Sequence, residues 1–313
     1  MTDWKILITD RLESAGQEIL RAGAQVDDHS GIQPEQLIEE ISRYDAVIVR
    51  SRTRLTEAVF EAAKGLKVAG RAGVGVDNID LAAAQSHKVV VVNSPISTTL
   101  AVAEHTLALM LSLAREIPRA DSAIKSGGWP KNDMVGVELA GKTLGILGAG
   151  RIGSEVASRA AAFGMVVLGY DPLLSDIEIR ERGLQPVSLA DLYARADFIS
   201  LHLPLEPETR SMIDGQALAR MKRGVRLISA ARGGLIDEVA LTAALDSGQV
   251  GGAALDVFAQ EPPGLSALAA HPRVVATPHL GAQTEEALER TARDIAEEVI
   301  AALNGEPLRW RVV

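Results

Sequence analysis

Residues 142–153 read Lys-Thr-Leu-Gly-Ile-Leu-Gly-Ala-Gly-Arg-Ile-Gly. A short apolar run, Thr143–Leu147, leads into Gly148, Gly150 and Gly153, and a helical pattern over Ile152–Phe163 follows. In this G-x-G-x-x-G spacing the first glycine allows a tight turn and the second lets a pyrophosphate approach the backbone. The third brings helix against strand. The helix start then offers free N–H groups and a partial positive charge to phosphates. By itself the pattern also fits a tight turn that binds nothing. Here, however, a second run, Val166–Tyr170, ends in Asp171, 18 residues beyond Gly153. That is close to the ~20-residue offset of an acid that holds a ribose 2′-hydroxyl. Its carboxylate would repel a 2′-phosphate, so the motif predicts NAD rather than NADP.

Outward from this stretch, short β-branched runs alternate with helical patterns. The other runs are Lys5–Thr9, Ala46–Val49, Lys67–Gly70, Lys88–Val92, Asp197–Leu201, Val225–Ser229, Gly252–Val257 and Val274–Thr277. Each is nearly continuous in apolar residues, as strands buried on both faces should be. Helical stretches such as Pro34–Ser42, Glu57–Ala63 and Asp237–Ser247 lie between them. Strand and helix in repetition predict an α/β protein with parallel sheets. Ten strands exceed one sheet of average size, so two sheets are expected. Longer helical stripes run over Leu100–Arg115, with Thr98 or Thr99 as cap, and over Thr284–Leu303.

Composition narrows the function classes. The 313 residues suit two domains at roughly 100–200 residues each. The net charge of −9 argues against general binding to nucleic acid or anionic membranes. The absence of cysteine removes disulfides, thiolate nucleophiles and Cys-based zinc sites, and no metal is expected. Met1-Thr2-Asp3-Trp4-Lys5 does not read as a signal peptide, and no apolar run nears the ~20 residues of a membrane span. A cytoplasmic protein is the expectation.

Ligands of open α/β sheets lie beyond the carboxyl ends of the strands. Arg232 follows the run Val225–Ser229, Glu261 follows Gly252–Val257, and His279 follows Val274–Thr277. These three suit hydride transfer to and from a hydroxy acid. Histidine can accept the hydroxyl proton near neutral pH. A neighbouring carboxylate would fix its tautomer and favour its protonated form, and an arginine can clamp a substrate carboxylate bidentately. His202 also ends a strand, so position alone does not separate it from His279, and Glu261 could be a plain loop residue. In the N-terminal third, Arg50, Arg52 and Arg54 follow Ala46–Val49, and Arg71 precedes Gly73 and Gly75. Four arginines beside a glycine-rich turn suggest an anionic substrate. A solvated charged loop is the other reading of the first three.

The segments Arg71–Asn78, Gly145–Gly153, Ala231–Glu238, Ala254–Phe258 with Glu261-Pro262, and Pro278–Gly281 together resemble the D-isomer-specific 2-hydroxyacid dehydrogenase family. Within it the chain looks most like the phosphoglycerate-oxidising branch. The resemblance implies two Rossmann- or flavodoxin-like domains: residues 1–97 with 284–313 for substrate, and 98–283 for NAD. It also implies that Arg232 binds the substrate carboxylate and carbonyl, His279 is the acid/base, and Glu261 orients it. Arg151 and Ile152 would contact the pyrophosphate, Asp171 the ribose, and Asp256 the nicotinamide end, with Ala230 and Gly281 also at the cofactor. Arg50, Arg52, Arg71 and the N–H groups around Val74 and Gly75 would hold the acid. A homodimer formed around Leu100–Arg115, or a tetramer, is implied too.

Three departures stand out. Ser229 replaces a frequent asparagine, Ile96-Ser97-Thr98 follows Asn93-Ser94-Pro95 where the phosphoglycerate branch commonly has Asn-Gly-Asn, and the sequence stops at Val313. The last led to the expectation that a C-terminal serine-binding domain is lacking. The expected activity is NAD-dependent oxidation of D-3-phosphoglycerate. The rivals are a glyoxylate or hydroxypyruvate reductase and, from another class, a non-catalytic NAD-sensing corepressor.

Overall fold

The computed structural model describes residues 4–313, so the reading made at Met1-Thr2-Asp3 lies outside it. The chain divides into two compact units, Met1–Thr98 with Ala282–Val313, and Thr99–Gly281.

The first unit holds strands β1 (Lys5–Ile8), β2 (Gln25–Asp28), β3 (Ala46–Val49), β4 (Val68–Arg71) and β5 (Val90–Asn93). They form one parallel sheet in the order β2-β1-β3-β4-β5. Successive side chains point to opposite faces, and both faces are covered, so the central strands must be largely apolar. Leu7, Val47, Val49, Ala69 and Val91 pack with Leu37, Phe60 and Ala84 from the helices Pro34–Glu40, Glu57–Ala62 and Leu81–Ser86. Ile6, Ile8, Ile48 and Val68 pack instead with Leu20, Ile295 and Val299 from the helices Ser14–Gly23 and Glu285–Asn304. The last helix of the chain therefore belongs to the first unit. Its seat against Ser14–Gly23 needs Gly16, where a Cβ would fall 2.4 Å from the Ala292 carbonyl oxygen.

The second unit holds β6 (Thr143–Leu147), β7 (Val166–Tyr170), β8 (Gln185–Pro186), β9 (Phe198–Leu201), β10 (Val225–Ser229), β11 (Val250–Leu255) and β12 (Val274–Ala276). Their order is β12-β11-β10-β9-β6-β7-β8, again wholly parallel. The order reverses between β9 and β6, the switch point where ligands of such sheets bind. Leu147, Ile199, Leu201, Leu227 and Leu255 form the core with Leu192, Leu218, Leu241 and Leu245. The helix Thr99–Ala114 buries Ala103, Leu107, Met110 and Leu113 in this unit.

The two parallel-sheet α/β units agree with the sequence reading, with differences at the edges. The structure has twelve strands among the described residues where ten runs were expected. The two additions, β2 and β8, are edge strands with one neighbour each. β2, Gln-Val-Asp-Asp, is mostly exposed and lacks the continuous apolar signature of a central strand. The run expected over Gly252–Val257 is a strand over Val250–Leu255, so Asp256 stands just past its carboxyl end. No helix among the described residues is long and apolar enough to cross a membrane.

Candidate active site

The glycine loop joins β6 to the helix Arg151–Ala162. Gly148 has φ +98°, and a Cβ there would meet the His202 backbone at 2.8 Å. A Cβ on Gly153 would lie 2.1 Å from the Gly148 carbonyl oxygen, which is how the helix comes so close to the strand. The position of a Cβ on Gly150, by contrast, has no atom within 4 Å. Two glycines are thus required by the protein's own packing, whereas the third opens the loop outward at a helix start with no side-chain cap. This is the cradle a pyrophosphate needs, and Arg151 and Ile152 flank it in the first turn. Asp171, at the end of β7, accepts from the Ala149 N–H at 2.9 Å and the Leu173 N–H at 2.9 Å, so the acid lies against the loop as its spacing implied. The residues present fit a dinucleotide with an unphosphorylated ribose.

His202 and His279, equivalent in the sequence, are separated by their surroundings. Burial pushes the His202 imidazole down to about 4, and its Nε2 lies 2.9 Å from Ser200 Oγ. It is a neutral wall beside the glycine loop. His279 is about half exposed, and its Nδ1 lies 2.8 Å from Glu261 Oε2. Glu261 in turn accepts the Phe258 N–H at 3.1 Å through its other oxygen. Burial raises the Glu261 pKa, but the hydrogen bond and charge of His279, with the Phe258 N–H, outweigh it and the net shift is downward. The carboxylate therefore takes a hydrogen on Nδ1 and leaves Nε2 for chemistry. Arg232 stands past the end of β10, and its Nη1 donates to the Ala231 carbonyl at 2.7 Å. Beside it a Cβ on Gly233 would fall 1.8 Å from the Phe258 carbonyl oxygen. The arginine loop and the glutamate loop thus touch backbone to backbone. Ala230 lies buried just before the arginine.

Asp256 holds the histidine loop. Its side chain has no exposed surface. Oδ1 accepts from Thr277 Oγ1 at 2.6 Å and from the Leu280 N–H at 2.7 Å, and Oδ2 accepts from the Gly281 N–H at 2.8 Å. Its main-chain carbonyl accepts the His279 N–H at 2.9 Å. Burial raises the Asp256 pKa, but the bonds from His105, Thr277, Leu280 and Gly281 overcome it and hold the carboxyl at about 2. His279 sits at φ +53°, a conformation that a non-glycine residue keeps only when its surroundings impose it. The resemblance cast Asp256 and Gly281 as cofactor contacts. In the structure the Asp256 carboxylate is enclosed beneath the loop and the Gly281 N–H is spent on it, so both shape the histidine's setting.

In the first unit the arginines separate. Arg52, expected at the substrate, is engaged with its own unit although its side chain is half exposed. Its Nε donates to Asp10 Oδ1 at 3.0 Å, Nη1 to the Ile32 carbonyl at 3.1 Å, and Nη2 to the Thr9 carbonyl at 2.8 Å. Asp10, itself buried, also accepts the Arg50 and Thr53 N–H groups, so Arg52 is a latch on its own loop. Arg54 is exposed, and the Arg50 side chain is half-buried. Arg71, at the end of β4, lies over Gly73, whose φ of +140° and missing Cβ make room for the guanidinium. Asn93 Nδ2 donates to the Val74 carbonyl at 2.7 Å, and Asn78 Nδ2 to the Arg50 and Thr53 carbonyls at 2.7 and 2.6 Å. These asparagines fix the Val74-Gly75 turn and tie it to the Arg50 loop. Among the described residues no group of acids and histidines could hold a metal ion.

Sequence reasoning missed His105, Thr277 and Glu238. Glu238 accepts the Ala259 N–H at 2.6 Å and so helps fix the loop that carries Glu261. A glutamate opening a helix has no mark that it reaches 21 residues ahead. His105 lies inside a helical stripe, and only tertiary contact shows which loop it faces.

The model of the D-isomer specific 2-hydroxyacid dehydrogenase NAD-binding domain matches residues 107–281. The D-3-phosphoglycerate dehydrogenase of Synechocystis sp. is 48% identical over 308 residues, 98% of this chain and 56% of that protein. The chain spans about half the length of the curated relatives it matches first. Among solved structures, a glyoxylate reductase from Paecilomyes thermophila superposes with TM-score 0.91 at 32% identity, covering 100% of this chain and 99% of that one. The D-lactate dehydrogenase of Aquifex aeolicus, solved with NAD and lactic acid, gives TM-score 0.84 at 31% identity over 96% of both chains. The chain belongs to the D-isomer-specific 2-hydroxyacid dehydrogenase family, with its NAD-binding domain in the second unit.

Proposed function

We propose that this protein is an NAD-dependent D-2-hydroxyacid dehydrogenase acting on D-3-phosphoglycerate, with the first unit as its substrate domain. The observation that carries the reading is the 2.8 Å contact between His279 Nδ1 and Glu261 Oε2, on a loop that packs against the arginine loop at Gly233. The glycine loop and Asp171 would hold NAD, which when bound would supply a hydride acceptor for the hydrogen on substrate C2. His279 Nε2 takes the proton of the C2 hydroxyl as the carbon–oxygen double bond forms, and returns it in the reverse reduction. Glu261, held ionised, balances the imidazolium that results. The Arg232 fork grips the substrate carboxylate and draws charge toward the carbonyl oxygen. Arg50, Arg71 and the Val74-Gly75 turn give the first unit a basic, glycine-rich loop suited to the acid's anionic groups. We further place the enzyme in the cytoplasm as a homodimer.

A glyoxylate or hydroxypyruvate reductase is the second reading. Two observations favour it: the loss of Arg52 to the Asp10 latch, and the likeness to a glyoxylate reductase over the whole chain. Initial rates of 3-phosphoglycerate oxidation, compared with glyoxylate and hydroxypyruvate reduction, decide between them. No turnover of the phosphorylated acid would remove the first.

A further inference from the structure

We propose that His105 is a positioning residue for the acid–base loop, acting through Asp256 and Thr277. The inference rests on the reading of His279 as the proton-transfer group.

His105 lies in the helix Thr99–Ala114, and its Nε2 stands 3.2 Å from both Thr277 Oγ1 and Asp256 Oδ1. The hydroxyl of Thr277 gives its one hydrogen to Asp256 Oδ1 at 2.6 Å. Toward the ring it can therefore offer only lone pairs, as does the carboxylate. Nε2 must carry the hydrogen, shared between two oxygen acceptors.

The burial of Asp256 makes that hydrogen matter. An enclosed carboxylate is costly unless its charge is met by donors or a cation. Among the described residues no lysine or arginine pairs with it, and the His105 ring is the one potential cation in contact with it. The remaining donors are Thr277 and the N–H groups of Leu280 and Gly281, all within the loop that carries His279. Among the described residues His105 is thus the one side chain outside the loop that fixes where the carboxylate sits. The same helix face supports the loop one turn earlier, where Val102 Cγ2 would lie 3.5 Å from a Cβ on Gly281. Any shift of Asp256 is passed to His279, because the Asp256 carbonyl accepts the His279 N–H at 2.9 Å.

The test compares His105→Leu, His105→Asn and His105→Gln in the full chain, by steady-state kinetics on 3-phosphoglycerate and hydroxypyruvate and by NADH fluorescence titration. Glutamine places an N–H donor near the position of Nε2, whereas asparagine is a methylene too short. His105→Leu and His105→Asn should lower kcat about 10-fold or more, as a misplaced acid–base group does. KM should stay within about threefold and NADH affinity unchanged, and His105→Gln should recover most of kcat. Wild-type kcat in the Asn variant, or a Gln variant as slow as Asn, overturns the proposal. Should His105→Leu not fold, the Asn and Gln pair still decides it. A His279→Ala variant keeps the two readings apart: unchanged turnover there refutes the proton-transfer role, whereas lost turnover with a fully active His105→Asn refutes the positioning role alone.

Discussion

A Cβ added to Gly233 would lie 1.8 Å from the carbonyl oxygen of Phe258. The residue after Arg232 therefore touches the chain that leads to Glu261, with only a hydrogen between them, and this contact sets the spacing of the two charged loops. The obstacle is backbone, so no rotamer change relieves it. Gly233→Ala should cost about 1–3 kcal/mol of stability, the scale of overpacking. It should also lower kcat by roughly 100-fold, since small displacements of positioned groups are expensive in rate. Denaturant unfolding and steady-state rates check both, and wild-type turnover would show that the loop spacing does not matter.

Replacing His279 by alanine removes the imidazole proposed to carry the proton and leaves the glycine loop intact. Turnover should fall by roughly 10²–10⁴-fold. NADH fluorescence titration should give an affinity near that of the wild type.

The pH dependence of stability should carry the mark of Asp256. Its carboxyl sits at about 2 in the folded chain against 3.8 for an ordinary aspartate. Between those values the unfolded chain binds the extra proton, so the stabilisation is present above about pH 4 and is lost as pH falls toward 2. The difference corresponds to about 2 kcal/mol. Unfolding measured from pH 5 down to 2 should show this slope in the wild type and a shallower one in Asp256→Asn.

Arg52 should behave as a structural latch. Arg52→Leu leaves the buried Asp10 without its guanidinium and should lower stability by about 1–3 kcal/mol. KM for the acid should move by no more than about threefold. A large rise in KM with unchanged stability would return Arg52 to the substrate site.

Legibility in the sequence followed burial. The strands β6, β7 and β10 have the bounds their apolar runs predict, because covered faces demand mostly apolar residues. The edge strands β2 and β8 escaped, since an outer strand can be polar and still pair. Glycine spacing marked the candidate phosphate cradle, since backbone clearance excludes other side chains at Gly148 and Gly153. The sequence places Asp256 in a strand near the cofactor, and its role as the anchor of the His279 loop is not visible there. That role depends on donors up to 25 residues ahead and on a ring 151 residues behind.

From its own order of residues this chain determined two parallel α/β sheets, a dinucleotide turn, and an arginine, a glutamate and a histidine at strand ends. Those are local matters of periodicity, steric room at glycine and chain direction. Tertiary structure alone decided which histidine keeps an open nitrogen, which arginine is spent on its own loop, and which buried carboxylate holds the rest in place. Burial and hydrogen-bond partners come from residues far apart in the chain, and charge and tautomer follow from those partners.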